Sequence, residues 1–509
     1  MLLDARDLEE GTVLETDVCI VGAGAAGITL ATELRGSGLD VVLLESGGRK
    51  DEPETHRLYD GPFEGPFEKD NYCLDSRCRF FGGTTNRWTG TCRPFDDIDF
   101  EHRPWVHLSG WPIRRDGLDD YFTRAAEVLD SPVFREHRGD GQLTPHNTLS
   151  EDGEPGRLVP KAMYRSQPVV RFGKKYRQVL EEADDLRVIL HANVTELVAN
   201  APGTAVTEAR IAVLCGPRVT LRAKRFVVAT GGVENARLLL ASNSVIPGGL
   251  GNQHGNLGRY FMDHARLRVV GHLMWTGPKP KGSLGQRIRS EISSAPKWFY
   301  IMYSPSTEVQ RREQMLNCGF RLMGSQVGHV DPLTVDAHRL AAAVDRHPGG
   351  PGLREAAPKT AFKGIKFYIE HTPNRESRVM LDDTLDPLGK PRTRVRWRIS
   401  DSDVDQIYRT LDLLGREVGA ASRGRLRITV DRDRIFQEQG FLGSHPMGTT
   451  RMTDDPKRGV VDPDCRVHGL GNLYVAGSSV FPTGGFAHPT MTLVALALRL
   501  ADHLKATPA

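Results

Sequence analysis

The 509-residue sequence has little of what would tie it to a membrane, a nucleic acid or an oxidising compartment. No apolar run reaches the length of a membrane span; the longest candidate, Leu493 to Leu500, is short and interrupted by Arg499. Charge excess is also lacking: 67 basic residues face 64 acidic ones, a balance that argues against a nucleic-acid footprint. Cysteine is sparse, and its seven copies, Cys19, Cys73, Cys78, Cys92, Cys215, Cys318 and Cys465, are odd in number and scattered. That is no disulfide framework, and reduced thiols are expected. Cys73, Cys78 and Cys92 lie near one another but match no standard ligand spacing, so no metal is expected. The amino terminus, MLLDARDLEEGTVLETD, is acidic and lacks a basic region followed by an apolar one. No export signal is visible there, and a cytoplasmic location is expected. A chain this long exceeds one ordinary core, so two or more domains are expected.

What the sequence does have is a nucleotide-binding unit at residues 17–48, DVCIVGAGAAGITLATELRGSGLDVVLLESGG. Val18, Ile20 and Val21 form an apolar run without a polar face, as in a parallel strand covered on both sides. Gly22, Gly24 and Gly27 follow in G-x-G-x-x-G spacing. The first permits the tight turn, the second lets backbone approach a pyrophosphate, and the third lets helix pack on strand. A second apolar run, Val41 to Leu44, ends in Glu45, placed to accept bonds from a ribose diol. The unit predicts dinucleotide binding and leaves FAD and NAD both open.

Further along, the irregular stretch from Arg49 to Phe81, containing GPFEGPFE at 61–68, reads as a lid or a subunit contact. It leads into FGGTTNRWTG at 81–90, whose glycines and small hydroxyl residues suit close backbone approach to a ligand. The polar stretch REHRGDGQLTPHNTLSEDGEPGR reads as an exposed loop. A helix is expected from Phe172 to about Ala183, strands at 187–198 and 208–220, and another strand from Phe226 to Ala229 followed by a helix. Between 265 and 440 the pattern changes to separated strands, Leu267 to Met274, Trp298 to Tyr303, Gly364 to Glu370 and Thr393 to Ile399, with a helix near 402–418 and a loop at HPGGPG, 347–352. Near the end, Leu473 to Ala476 read as a strand with Gly477 and Ser478 at its carboxyl end, and His488 and Pro489 lead into a helix over Thr490 to Leu504.

Taken together, GAGAAG at 22–27 with Glu45, FGGTTNRW at 81–88, VVATGGVENARLLLAS at 227–242, NLGRYFMDH at 256–264, SHPMGTTRM at 444–452 and the AHPTMT segment resemble, in order and over nearly the whole chain, the glucose–methanol–choline (GMC) family of flavin-dependent alcohol oxidoreductases. The resemblance selects FAD. It implies an α/β Rossmann-type FAD-binding domain assembled from 1–95, 170–264 and 441–509, and a substrate domain from 96–169 and 265–440 with a largely antiparallel sheet. It also implies that His445 and His488 flank the flavin, His445 as base and His488 holding the substrate oxygen, and that the cofactor is contacted by Gly22, Gly24, Gly27, Glu45, Gly83, Thr84, Arg87, Trp88, Val194, Ala229, Gly477, Ser478, Pro489, Thr490 and Met491.

Histidine suits that role because an alcohol hydroxyl must lose its proton as the carbon-bound hydride moves to flavin N5, and imidazole accepts a proton near neutral pH. Several relatives tether the flavin through a histidine at the sixth position of the GG motif; counting from Gly82, Arg87 stands there, so FAD is expected to be held without a covalent bond. GGTTNRW and VAGSSVFPTGG look most like the sugar and glycoside branch. The expected reaction is oxidation of a secondary hydroxyl on a small sugar-like substrate, with oxygen or another electron acceptor. Alternatives are a dehydrogenase subunit passing electrons to a protein or quinone, an oxidase of primary or sterol alcohols, and a flavin-fold scaffold without turnover. Oligomeric state stays open.

Overall fold

The computed structural model describes residues 1–66, 71–131, 157–166, 168–275, 299–324, 361–420 and 424–507. The polar loop within 135–157, apart from its last residue, and HPGGPG at 347–352 lie outside them.

Strand Val13–Val21 runs beside Val41–Leu44 on one edge and Arg218–Val228 on the other, all parallel. Val18, Cys19, Ile20 and Val21 are buried, as an unbroken apolar run requires of a strand covered on both faces. Leu186–Leu190 and then Leu2–Asp4 extend the sheet beyond Val41–Leu44. Arg218–Val228 is long enough to serve two partners on its far edge. Its first half pairs antiparallel with Val206–Ala212, which continues to Asn193–Ala199; its last three residues pair parallel with Leu473–Val475. The ends of Val41–Leu44, Val13–Val21, Arg218–Val228 and Leu473–Val475 therefore open side by side at one carboxyl edge, where ligands sit in open α/β sheets.

A second sheet is antiparallel in every described pairing, in the order Gly424–Ile428, Gly271–Trp275, Ala361–Ile369, Gly319–Gly324, Phe299–Pro305, Leu158–Arg165, Thr91–Cys92, with Ala265–Leu267 and Gly440–Leu442 alongside. Helix Asp401–Ala420 contributes Ile407, Leu411, Leu414 and Val418 to the core, the spacing of one apolar helical stripe.

Several elements differ from the expectation. The helix from Phe172 is two short ones, Phe172–Lys175 and Arg177–Glu181. The strand at 187–198 breaks at His191, whose φ of 54° turns the chain out of the parallel sheet and into the antiparallel meander. Pro391–Arg396 joins neither large sheet but a small third one with Arg378–Leu385 and Phe63–Glu64. Helix Asp119–Val128, in the stretch assigned to the substrate domain, packs on helix Thr490–Ala506, and Arg124 bridges Asp502 and Glu33 at 2.6 and 2.7 Å. Conversely, Thr91–Cys92 and Gly440–Leu442 belong to the antiparallel sheet, so the chain passes between the layers at places other than the four expected boundaries.

Candidate active site

The glycine turn divides its work by position. Gly22 has φ of 105°, and a Cβ there would lie 2.7 Å from the Ala229 carbonyl oxygen; a Cβ on Gly27 would lie 1.9 Å from that of Gly22. These two positions exclude a side chain because the protein's own backbone fills the space. Gly24 is the opposite case, since a Cβ there would meet nothing within 4 Å. Gly24 caps helix Ala25–Leu34 with no side-chain hydrogen bond, leaving the first N–H groups directed at open space. Gly83, with φ of 53°, stacks its turn on Gly24, where an added Cβ would come within 2.9 Å of the Gly24 Cα. Gly231 and Gly477, at φ of 91° and 108°, are also open.

Glu45 is buried, its Oε2 accepting from the Ala23 N–H at 3.0 Å and its Oε1 from the Gly47 N–H at 2.9 Å. The carboxylate thus fixes the glycine turn against the end of the next strand.

These turns enclose a cavity of about 410 Å³ lined by Gly22, Gly24, Glu45, Gly83, Thr84, Arg87, Trp88, Val194, Ala229, Gly477, Ser478, Pro489, Thr490, His445 and His488. Gly27 and Met491 are not among its lining residues: Gly27 closes helix on strand, and Met491 is buried in the core. Arg87 stands half exposed, paired with Asp51 at 2.6 Å. Trp88 donates its indole N–H to the Val170 carbonyl at 2.7 Å, and Ser478 donates to that of Pro446 at 2.7 Å. Arg79 also lines the cavity, and its buried Nε has no partner in the protein. An uncapped helix start, glycines without a neighbour and a partnerless guanidinium N–H fit a bound dinucleotide phosphate.

At the other end of the cavity the histidine rings of His445 and His488 lie 4.7 Å apart, centroid to centroid. Their tautomers follow from their partners. His264 Nε2 faces the carbonyl oxygens of Gly484 and Gly485 at 3.1 and 2.9 Å, so it must carry the proton and donate. Neutral His264 then accepts at Nδ1, 2.8 Å from Nδ1 of His445. His445 is therefore protonated at Nδ1 and unprotonated at Nε2, where Arg266 Nη2 donates at 3.4 Å. His488 Nδ1 donates to the Thr91 carbonyl at 3.1 Å, leaving its buried Nε2 with no partner in the protein.

Burial enforces neutrality: it pushes His264 down to about 4, His488 to about 3, and His445 well below the usual imidazole value. Arg266, whose Nη2 lies 3.4 Å from His445 Nε2, adds to each shift.

Three residues of this site had no role in the sequence reading. His264 and Asp263 end the NLGRYFMDH motif, which was singled out without a function, and Arg266 follows two positions later. Asp263 accepts from the His445 backbone N–H at 2.8 Å and the Tyr72 hydroxyl at 2.9 Å, and burial raises its carboxyl to about 6. All seven cysteines are free, and no cluster of metal ligands occurs among the described residues. No described helix is long and apolar enough to cross a membrane.

Residues 373–497 match the GMC oxidoreductase C-terminal model, and residues 15–55 an FAD-binding domain. The chain is 35% identical to a C-glycoside 3-oxidase of Arthrobacter globiformis, over 92% of this chain and 82% of that one. It is 24% identical to a 2-methyl-1,2-propanediol dehydrogenase of Mycolicibacterium austroafricanum, over 96% and 95%. In fold it is similar to a formate oxidase, with a TM-score of 0.59 at 16% identity, covering 98% of this chain and 99% of that one. The chain belongs to the GMC oxidoreductase family and is an FAD-binding enzyme acting on CH–OH donors.

Proposed function

We propose that this enzyme oxidises a secondary hydroxyl of a sugar, glycoside or related polyol to a carbonyl, holding FAD without a covalent bond and passing the electrons to oxygen or another acceptor. The observation that carries the reading is the pair of unprotonated Nε2 atoms, on His445 and His488, facing one cavity. Its likeness to the C-glycoside 3-oxidase supports a glycoside as donor.

When bound, FAD supplies the two-electron acceptor that the side chains lack. His445 Nε2 takes the hydroxyl proton. The positive charge gained is stabilised through the Nδ1–H donated to His264, which holds the ring in place as the orienting partner of a catalytic imidazole does. His488, held by Thr91, offers a second acceptor, an alternative to His445 for the single hydroxyl proton. With its proton already on Nδ1, His488 cannot donate to the substrate oxygen while neutral, which revises the role expected from sequence. Arg266 is the cation beside the developing alkoxide and offsets the weakness of a low-pKa base.

The test is an anaerobic screen of sugars, glycosides and simple alcohols, following bleaching of the flavin absorbance, with oxygen then admitted. Bleaching by glycosides in preference to simple alcohols is expected, and fast reoxidation identifies an oxidase. Bleaching confined to sterols or primary alcohols would overturn the reading.

A further inference from the structure

The antiparallel sheet that reaches the histidine end of the cavity carries a concentration of cations, Arg266 on the cavity wall and Arg268, Lys366 and Arg321 beyond its lining residues. Arg266 lines the cavity and stands opposite Tyr368 in register, whose ring lies 6.0 Å from that of His488. Two residues along the same strand, Lys366 stands directly opposite Arg321. Like charges directly opposed on antiparallel strands repel, so this pairing works against the fold unless an anion offsets it.

The cations converge on aromatic rings. Arg266, Arg268 and Lys366 lie 5.8, 5.5 and 4.7 Å from the Phe441 centroid, and Arg321 lies 4.5 Å from that of Tyr300. Among the described residues none of the four has a carboxylate partner. Asp263, close to Arg266 in sequence, already accepts from Tyr72 and His445. Arg266 Nε is buried without a partner, and Lys366 is pushed down to about 8, first by burial and then by Arg266, Arg321 and Arg268.

We propose that the donor carries an oxyanion group, held by Lys366, Arg321 and Arg266 on the sheet side of the cavity while the hydroxyl to be oxidised meets His445 and His488. This rests on the glycoside reading and narrows it to acidic glycosides. Four cations in reach of rings that a sugar or aryl aglycone can stack on, with no carboxylate partner among the described residues, form a receptor for a ring that carries an anionic group. The oxyanion has three sources: a uronic acid ring, a carboxylated aglycone or a sugar phosphate.

Matched pairs separate them. Anaerobic flavin reduction in the FAD-loaded enzyme is compared for phenyl glucoside and phenyl glucuronide, phenyl glucoside and 4-carboxyphenyl glucoside, and glucose and glucose 6-phosphate. At least one anionic member is expected to react about tenfold faster, at limiting concentration, than its neutral partner, the scale of one charge-assisted contact. That ratio should shrink with added salt, collapse in Lys366→Gln/Arg321→Gln and recover in Lys366→Arg. Where the pairs reduce the flavin, no anionic preference in any of them, or a preference unchanged in the double variant, would overturn the proposal. Calorimetry with benzoate separates it from the reaction assignment. Binding that weakens in Lys366→Gln supports the anion site even where no glycoside bleaches the flavin, in which case only the glycoside reading falls. Equal benzoate affinity in both proteins, or no binding at millimolar concentration, counts against the site itself.

Discussion

His264 Nδ1 lies 2.8 Å from His445 Nδ1, and because two backbone carbonyls claim the His264 Nε2 proton, this one contact decides which nitrogen of His445 is bare. His445→Ala should keep its FAD and lose flavin reduction by at least about a hundredfold, the lower range for a general base. His264→Ala should also lose flavin reduction, by up to about ten-thousandfold, the scale on which loss of the partner that fixes a catalytic imidazole's tautomer acts. In that variant the pH profile of reduction should also shift, since the acceptor that stabilises the His445 imidazolium through its Nδ1–H is gone. Stopped-flow reduction at full flavin occupancy measures both; a normal rate in His445→Ala would remove it as the base.

The nucleotide unit was legible because each local signal agreed: an unbroken apolar run, glycines at turn spacing and an acid at the next strand end. His445 and His488 were legible as motif residues on loops. The relay behind them was not. Nothing in a motif ending Asp263-His264 says that the ring will meet His445, 181 residues away, because that contact comes from loop 484–485 lying under His264. The same limit applies to Phe63–Glu64, whose pairing with Pro391–Arg396 closes over more than 300 residues, and to helix Asp119–Val128, whose apolar face is satisfied by Thr490–Ala506 instead of by its chain neighbours. Periodicity reports that a face is buried and is silent about its partner.

Acid sensitivity should follow from the buried imidazoles. With folded values of about 4 for His264 and about 3 for His488, against about 6.5 unfolded, both rings bind fewer protons folded than unfolded between those limits. Their stability contribution is complete above about pH 6.5 and is lost as pH falls through the folded values. Asp263, raised to about 6, and Asp99, raised to about 8, act in the opposite sense, so a difference measurement is needed. His488→Asn removes one titrating group, worth up to about 1.4 kcal/mol for each pH unit inside the window. The drop in Tm between pH 7 and pH 5 should therefore be smaller in His488→Asn than in the parent enzyme. An equal drop would mean that His488 does not titrate as its burial dictates.

Gly24 and Gly27 differ in what surrounds them, and alanine should expose the difference. Gly27→Ala drives a Cβ into the Gly22 carbonyl, so the protein should lose stability, with a lower Tm whether or not flavin is present. Gly24→Ala meets no protein atom within 4 Å, so the flavin-free protein should melt as the parent does while FAD occupancy falls. Thermal melts of stripped protein, with flavin content by absorbance, read both. Full FAD retention in Gly24→Ala would show that the cofactor does not approach the backbone at this turn.

Release of FAD on denaturation is expected from the state of the cavity side chains that could tether it. Arg87, at the position where tethered relatives carry histidine, is ion-paired with Asp51 and has no nucleophilic ring nitrogen. Cys78 lines the cavity, but burial raises its thiol, so the thiolate needed for attack is disfavoured. Tyr59, also on the wall, is pushed up to about 12 by burial and stays protonated. The imidazole nitrogens on the cavity wall are the Nε2 atoms of His445 and His488, and a bond to either would consume the lone pair that the reaction requires. Precipitating the purified yellow protein with acid should release the flavin to the supernatant. A yellow pellet with in-gel fluorescence would show a tether, and Cys78→Ser would then be the variant to examine, because loss of the colour from the pellet would place the bond on that sulfur.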